Sequence, residues 1–239
     1  DRADRRRGLP RRPGRASDPR RRVVIDRRAV AAGYDAAADG YDQRHGDRPG
    51  RARAAAIDRV LLGACRGATR VLEVGVGTGR LLAQVDAPVR IGLDVAPRML
   101  AVARGRGLTV VCADGAAVPF AAGSFDAVIA GKGALRYLAP AVALAESYRV
   151  LAPGGRLAFH LYGGRTWSPR RAPPPTDGLW QPASTAELIA AVAAAGFTVE
   201  RIARWRSIRV WPYALAIPAA VDDRAPVQLW SHVAVVARR

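Results

Sequence analysis

Residues 69–82, TRVLEVGVGTGRLL, constrain what this chain can fold into more than any other stretch. An apolar run ends in the carboxylate of Glu73, passes through glycines at 75, 77 and 79, and gives way to a helical pattern at Arg80 or Leu81. Glycine adopts positive φ without strain and carries no Cβ, so a strand, a bare turn and a helix in that order describe backbone approached closely by something else. The pattern predicts a ligand at the turn and sets the frame for the rest of the chain.

Downstream, runs rich in Val, Ile and Leu alternate with Ala-rich stretches of helical period. Strands are predicted at 69–74, 89–95, 108–114, 125–131 and 155–162, with helices at 79–85, 97–105 and 138–152 between them. Parallel strands need crossover helices and are buried on both faces, so they read as continuous apolar runs; the fold class is α/β. A helix at about 50–64 places Ala54, Ile57, Val60, Leu61 and Ala64 on one face. Residues 163–182, rich in Gly and Pro, read as a long loop. Ser184 and Glu187 have the capping-box spacing for a further helix that Gly196 ends. Two last strands are predicted at 197–205 and 227–237, joined by a loop of about twenty residues.

The formal net charge is +18, and residues 1–28 carry twelve Arg against four Asp. That segment lacks apolar periodicity and holds three prolines, so 1–28 is expected to be a disordered basic tail and 29–239 a single domain. Lys132 is the only lysine. Cys65 and Cys112 fit neither a disulfide framework nor a zinc spacing and are expected to be buried apolar residues. No apolar stretch approaches the roughly 20 residues a membrane span requires, and no secretory leader opens the chain, so a soluble, cytoplasmic protein is expected. None of the three histidines pairs at metal-ligand spacing, and no metal is predicted.

Two cofactor classes use a glycine turn of this kind: dinucleotides and S-adenosyl-L-methionine. A dinucleotide fingerprint needs glycine at position 80, where this chain has Arg. The observed E-x-G-x-G-x-G resembles the class I S-adenosylmethionine-dependent methyltransferases, particularly the small-molecule branch with the ubiquinone and menaquinone methylases. The resemblance runs from about Tyr34 to Gly155, and more loosely to the end. It implies a Rossmann-like, doubly wound, mostly parallel seven-stranded sheet with helices on both faces and the last strand antiparallel.

Under the same resemblance, Glu73, Gly75, Gly77 and Gly79 cradle the methionine and ribose portions of the cofactor. Asp94, nineteen residues after Gly75 in IGLDVAPRML, accepts from both ribose hydroxyls, or serves merely as a helix cap. Val95 and Met99 take the apolar positions against adenine, while Asp114, Gly115 and Ala116 meet its edge. Gly131 lies beside the methionine end, followed by Lys132, Arg136 and Tyr137 where many relatives carry His or an aromatic. Asp126 reads as structural, and LAESYRVLAPGGRLAF matches the family's connection into the fifth strand. GYDAAADGYDQ resembles the family's opening; Tyr34 and Tyr41, seven apart, are expected on one helical face, closing over the cofactor.

Methyl transfer needs the nucleophile held about 3 Å from the methyl and in line with the departing sulfur, so a catalytic side chain is dispensable. Where a base is used, His45, Tyr34, Tyr41 and Tyr137 are the candidates, and Glu73 is expected to stay ionised as a cofactor residue. Trp167, Trp180, Trp211 and Tyr213 are expected to wall an apolar pocket for a small-molecule acceptor of aromatic, polyketide or prenyl-like kind. Two rivals stand beside this reading. One is a nucleic-acid binder or RNA/DNA methyltransferase, in which Arg201, Arg204, Arg206 and Arg209 interleave with Trp205 and Trp211 as phosphate contacts and stacking platforms. The other is a cofactor-binding scaffold without turnover. Acceptor identity and oligomeric state are left open.

Overall fold

The computed structural model describes residues 26–45, 48–162, 180, 182, 184–210, 213–218 and 232–239, with side chains omitted at 44–51 and 206–218. Helices α1 (Arg27–Ala37), α2 (Tyr41–His45) and α3 (Arg48–Ala64) precede the sheet. Then follow β1 (Arg70–Val74), β2 (Val89–Asp94), α4 (Pro97–Gly105), β3 (Thr109–Cys112), β4 (Phe125–Ala130), α5 (Pro140–Val150) and β5 (Leu151–Tyr162). The chain closes with α6 (Thr185–Ala194), β6 (Thr198–Val210), β7 (Tyr213–Pro218) and β8 (His232–Arg238). The strand order is β3-β2-β1-β4-β5-β8-β6-β7. The first five strands pair in parallel, and β8 lies antiparallel to β5.

Alternation along the strands sends residues to opposite faces. Leu72, Val128, Phe159 and Val235 face Leu144 of α5 and Leu188 of α6. Val71, Ile129, Ala158 and Ala234 face Ile57 and Leu61 of α3 and Leu100 of α4. Local signals set the helix ends: Pro97 starts α4 at a position that needs no amide donor, and Ser184 Oγ accepts from the Glu187 amide to cap α6.

Five expectations change. The stretch 79–85 is only a 3₁₀ turn at Leu82–Gln84, because Pro88 and the return to β2 leave no room for a longer helix. β5 begins at Leu151, inside the expected helix, because Phe125 pairs with Leu151 and Ala127 with Arg156 across a bulge. Residues 206–210 and 213–218, expected to be loop, extend β6 and form an eighth strand at the sheet edge. Asp26 caps α1 by accepting from the Arg28 and Ala29 amides, so the expected tail gives up residues 26–28. Cys65 is buried as expected, but Cys112 is exposed because β3 is an edge strand. The 163–179 loop and the rest of the tail lie outside the described residues.

Candidate active site

β1, β2, β3 and β4 end side by side, and their C-terminal ends with α1 and α2 above them enclose a cleft. Gly75 has φ 72°, and a Cβ there would lie 2.3 Å from Ala134 Cβ. Its bareness lets the β1 turn pass against the loop after β4. Gly77, at φ 54°, donates its amide to Asp94 Oδ2 at 2.8 Å. Gly79 acts elsewhere: a Cβ would lie 2.4 Å from Leu108 Cδ1 and 3.1 Å from Ala103 Cβ, so it serves packing onto α4 and β3 and does not line the cleft.

Tyr34, Tyr41, Glu73, Gly75, Gly77, Asp94, Val95, Met99, Asp114, Gly115, Gly131 and Tyr137, all singled out from the sequence, line this one cleft. Ala116 does not line it; its amide donates to Asp114 Oδ1 at 2.8 Å. The backbone of His45 falls in α2, and its side chain lies outside the described residues. Asp126 is structural: it accepts from the Thr69 and Arg70 amides and the Thr69 hydroxyl, tying the starts of β1 and β4 together. These hydrogen bonds, the Thr69 hydroxyl foremost, hold its carboxyl down at about 2.

Tyr34 and Tyr41 do not share a helix. The chain breaks after α1, turns at Gly40 with φ 70°, and begins α2, yet the rings converge at 6.2 Å. The lid is docked by its acidic residues. Asp35 accepts from the Arg98 amide at the start of α4, Asp39 pairs with Arg98, and Asp42 accepts from Thr78 Oγ1 and pairs with Arg106. Arg27 pairs with Asp114 at 2.5 Å, so an adenine amino group meeting that carboxylate competes with the lid for it. Sequence reading missed these contacts. The aspartates between the tyrosines were the available signal.

Three carboxylates expected at the cofactor stand in the cleft with different environments. Asp114 is neutralised by Arg27, and Asp58, also in the wall, by Arg80 at 2.8 Å. Asp94 is pushed up by burial against the opposing hydrogen bonds from Gly77, Ala96 and Val95. Glu73 is 3 % exposed, and its Oε2 has no partner among the described residues. Burial raises it well above the usual carboxylate range, only partly offset by the Leu82 amide. Burial thus disfavours the ionised form expected of Glu73, and a cation brought by a ligand would favour it.

This donor set fits S-adenosylmethionine: Glu73 and Asp94 offer acceptors to an ammonium and a ribose, and Val95 and Met99 offer an apolar wall to a base. The same carboxylates would repel a pyrophosphate. Residues 72–159 match the family model described as "Methyltransferase domain". The demethylmenaquinone methyltransferase of Beutenbergia cavernae is 33 % identical over 216 residues, covering 86 % of this chain and 85 % of that one. The chain belongs to the class I S-adenosylmethionine-dependent methyltransferases. Its cofactor is S-adenosyl-L-methionine. The Thermus thermophilus demethylmenaquinone methyltransferase is 46 % identical over 98 residues, covering 37 % of this chain and only 44 % of that protein. The crystal structure of the cyclase SpnF superposes with TM-score 0.65 at 21 % identity, covering 91 % of this chain and 97 % of that one. At that identity the likeness shows fold alone.

A second cavity, of 640 Å³, opens between α1, α3 and the β5 and β8 strands. Its wall includes Tyr34, Arg53, Arg136, Tyr137, His160, Tyr162 and His232. His160 Nε2 and His232 Nδ1 are 3.0 Å apart, a bond between diagonal neighbours, since His160 pairs across the strands with Ala234 and His232 with Tyr162. Both histidines fall within strands expected from the sequence, at 155–162 and 227–237, and their shared face becomes visible only with the antiparallel register.

Of the expected aromatic wall, only the Trp180 side chain is described, and it lies in the core. Trp180 stacks on Phe159 in the core at 5.5 Å, while Trp167, Trp211 and the Tyr213 side chain lie outside the described residues. Trp205, offered as a nucleic-acid stacking platform, is 7 % exposed and packs into the core behind α3. Among the described residues no helix is long and apolar enough to cross a membrane.

Proposed function

We propose that this protein transfers the methyl group of S-adenosylmethionine to an O, N or C nucleophile of a small-molecule acceptor by in-line displacement. The observation that carries this reading is a shared wall: Val30, Tyr34, Tyr41, Asp58, Lys132 and Tyr137 line both the cofactor cleft and the second cavity. A donor in one and an acceptor in the other would meet there. The cofactor supplies an activated methyl on a positively charged sulfur, so the protein's work is positioning and exclusion of water. The relatives' naming as demethylmenaquinone methyltransferases supports a small, ring-containing acceptor.

The cavity wall offers the acceptor hydrogen-bonding groups. Burial raises the Tyr34 phenol above its ordinary value and pushes Tyr41 up to about 12, so both are hydrogen-bond donors rather than bases. The hydroxyls of Tyr34 and Tyr137 lie 3.0 Å apart and fix one another. Burial lowers His160 well below the usual imidazole range and brings His232 to about 3, so the pair resists protonation. It is a hydrogen-bond partner for the acceptor rather than its base. The free thiols Cys65 and Cys112 support a reducing, cytoplasmic setting.

Incubating the protein with isotopically labelled cofactor and whole host extract, followed by mass spectrometry, tests the proposal. Labelled methyl in a low-molecular-mass product is expected. Saturable cofactor binding with no labelled product would leave a scaffold, and label confined to RNA or DNA would give the reaction to the rival reading.

A further inference from the structure

The second cavity has more cationic than anionic groups. Arg53, Lys132 and Arg136 stand in its wall against Asp58, whose carboxylate is already paired with Arg80 at 2.8 Å. Among the described residues Arg136 makes no ion pair. Its guanidinium carbon lies 5.3 Å from the centre of the Tyr162 ring and 5.7 Å from that of Tyr137, and its Nε is buried without an acceptor. Buried guanidinium donors are normally satisfied, so an orphan in a cavity wall points to an acceptor arriving with a ligand. A second orphan stands in the same wall: among the described residues, Nδ1 of His160, a residue 2 % exposed, has no partner.

The shape of the cavity adds to its charge. Rings of Tyr34, Tyr41, Tyr137, Tyr162, His160 and His232 frame it, and they hold one another in place. Tyr34 meets Tyr137 edge-on at 6.0 Å and 89°, and Tyr162 meets His160 at 5.0 Å and 77°. Walls of this kind accept a flat ring more readily than a branched aliphatic, and the volume lies within the range of small-molecule sites.

We infer that this cavity takes an aromatic acceptor carrying a carboxylate, which the Arg136 guanidinium binds while the ring lies among the tyrosines. The inference rests on the methyltransferase reading of the adjoining cleft. A carboxylate suits the planar fork of Arg, whose guanidinium lies over the Tyr137 and Tyr162 rings and whose Nε lacks an acceptor among the described residues. Arg136 does not line the cofactor cleft, so its removal separates acceptor recognition from donor binding.

The test is calorimetry on the full chain saturated with S-adenosylhomocysteine, titrating 3,4-dihydroxybenzoate and, separately, 3,4-dihydroxybenzamide. The carboxylate is expected to bind at least tenfold more tightly than its neutral amide. R136Q should abolish that preference while leaving the S-adenosylhomocysteine affinity and the amide affinity within about twofold, and R136K should retain part of it. Equal affinities in the unaltered protein overturn the inference without any variant being made. So does a preference that survives R136Q, or the failure of both ring compounds to bind while S-adenosylhomocysteine binds. Failure of S-adenosylhomocysteine itself to bind the unaltered protein strikes the methyltransferase reading instead, and the acceptor assignment falls with it.

Discussion

The two cavities that meet at Tyr34 and Lys132 are built by opposite means. The cofactor cleft is a product of backbone: strand ends in register, a bare turn at Gly75 and Gly77, and carboxylates at the penultimate residue of β1 and the last of β2. The acceptor cavity is a product of side chains from α1, α3, the loop after β4, β5 and β8, elements far apart in sequence. The first therefore has little freedom to change, because its wall is main chain. The second can be recut residue by residue while the sheet stays intact, as expected for one scaffold serving many acceptors.

The largest effect that would sharpen this contrast lies at the turn. Gly75→Ala places a methyl 2.3 Å from Ala134 Cβ at a φ of 72°, so cofactor affinity should fall by about 100-fold or more. Adding Ala134→Gly should recover part of the loss. Full tolerance of the single change, read by calorimetry, would break the claim that backbone makes this cleft.

Next is Asp94→Ala. Its carboxylate accepts from the Gly77 and Ala96 amides, so the change loosens the turn and removes the acceptor for ribose. Loss of a charge-assisted partner is worth about 1.5–3 kcal/mol, an affinity drop of roughly ten- to a hundredfold. The thermal midpoint should move by only a few degrees, since removing the carboxylate leaves the apolar core untouched. Unchanged affinity would refute the assignment.

On the acceptor side the accessible effect is one of pH. His160 and His232 have folded-state values depressed below the unfolded one, so the unfolded chain binds protons that the native state refuses. Their neutral burial gives stability that is complete above the unfolded imidazole value near 6.5 and is lost as pH falls towards about 3 for His232, at up to about 1.4 kcal/mol per pH unit for each ring. Chemical denaturation between pH 7 and 5 should show that slope, and a His160→Leu, His232→Leu double variant should flatten it. A slope identical in both proteins would remove the titration from this pair.

The smallest expected change is deletion of residues 1–25, which should leave cofactor affinity within about twofold. The cut stops short of Asp26 and Arg27, which cap α1 and pair with Asp114. A tenfold loss would show that the basic tail belongs to the site after all.

The contrast also explains what the sequence made legible. The turn, Asp94 and Asp114 could be read because a few consecutive residues enforce their conformation, and glycine spacing is a statement about main-chain geometry. Gly79 shows the limit: it belongs to the same motif, yet its lack of a Cβ serves contact with Leu108 and Ala103, which spacing alone does not reveal. The His160–His232 pair was hidden because its register depends on β8 returning antiparallel beside β5. Trp180 and Trp205 misled for the converse reason: a large aromatic in an irregular or basic stretch reads as surface until its partner, Phe159 or the α3 layer, is known. The early start of β5 was masked by helical composition that strand pairing overrode.

Lys132 sits between two glycines at φ 48°, in the wall common to both cavities, and burial lowers its pKa first, with the Arg80 charge adding to that. In a chain otherwise cationic through arginine, that places one ε-amine, with a larger uncharged fraction than an ordinary surface lysine, at the junction itself. Mild acylation thus becomes a footprinting chemistry with one side-chain target. Shielding by S-adenosylhomocysteine, by an aromatic carboxylate, or only by both together would map how the two chambers fill without a label being engineered into either.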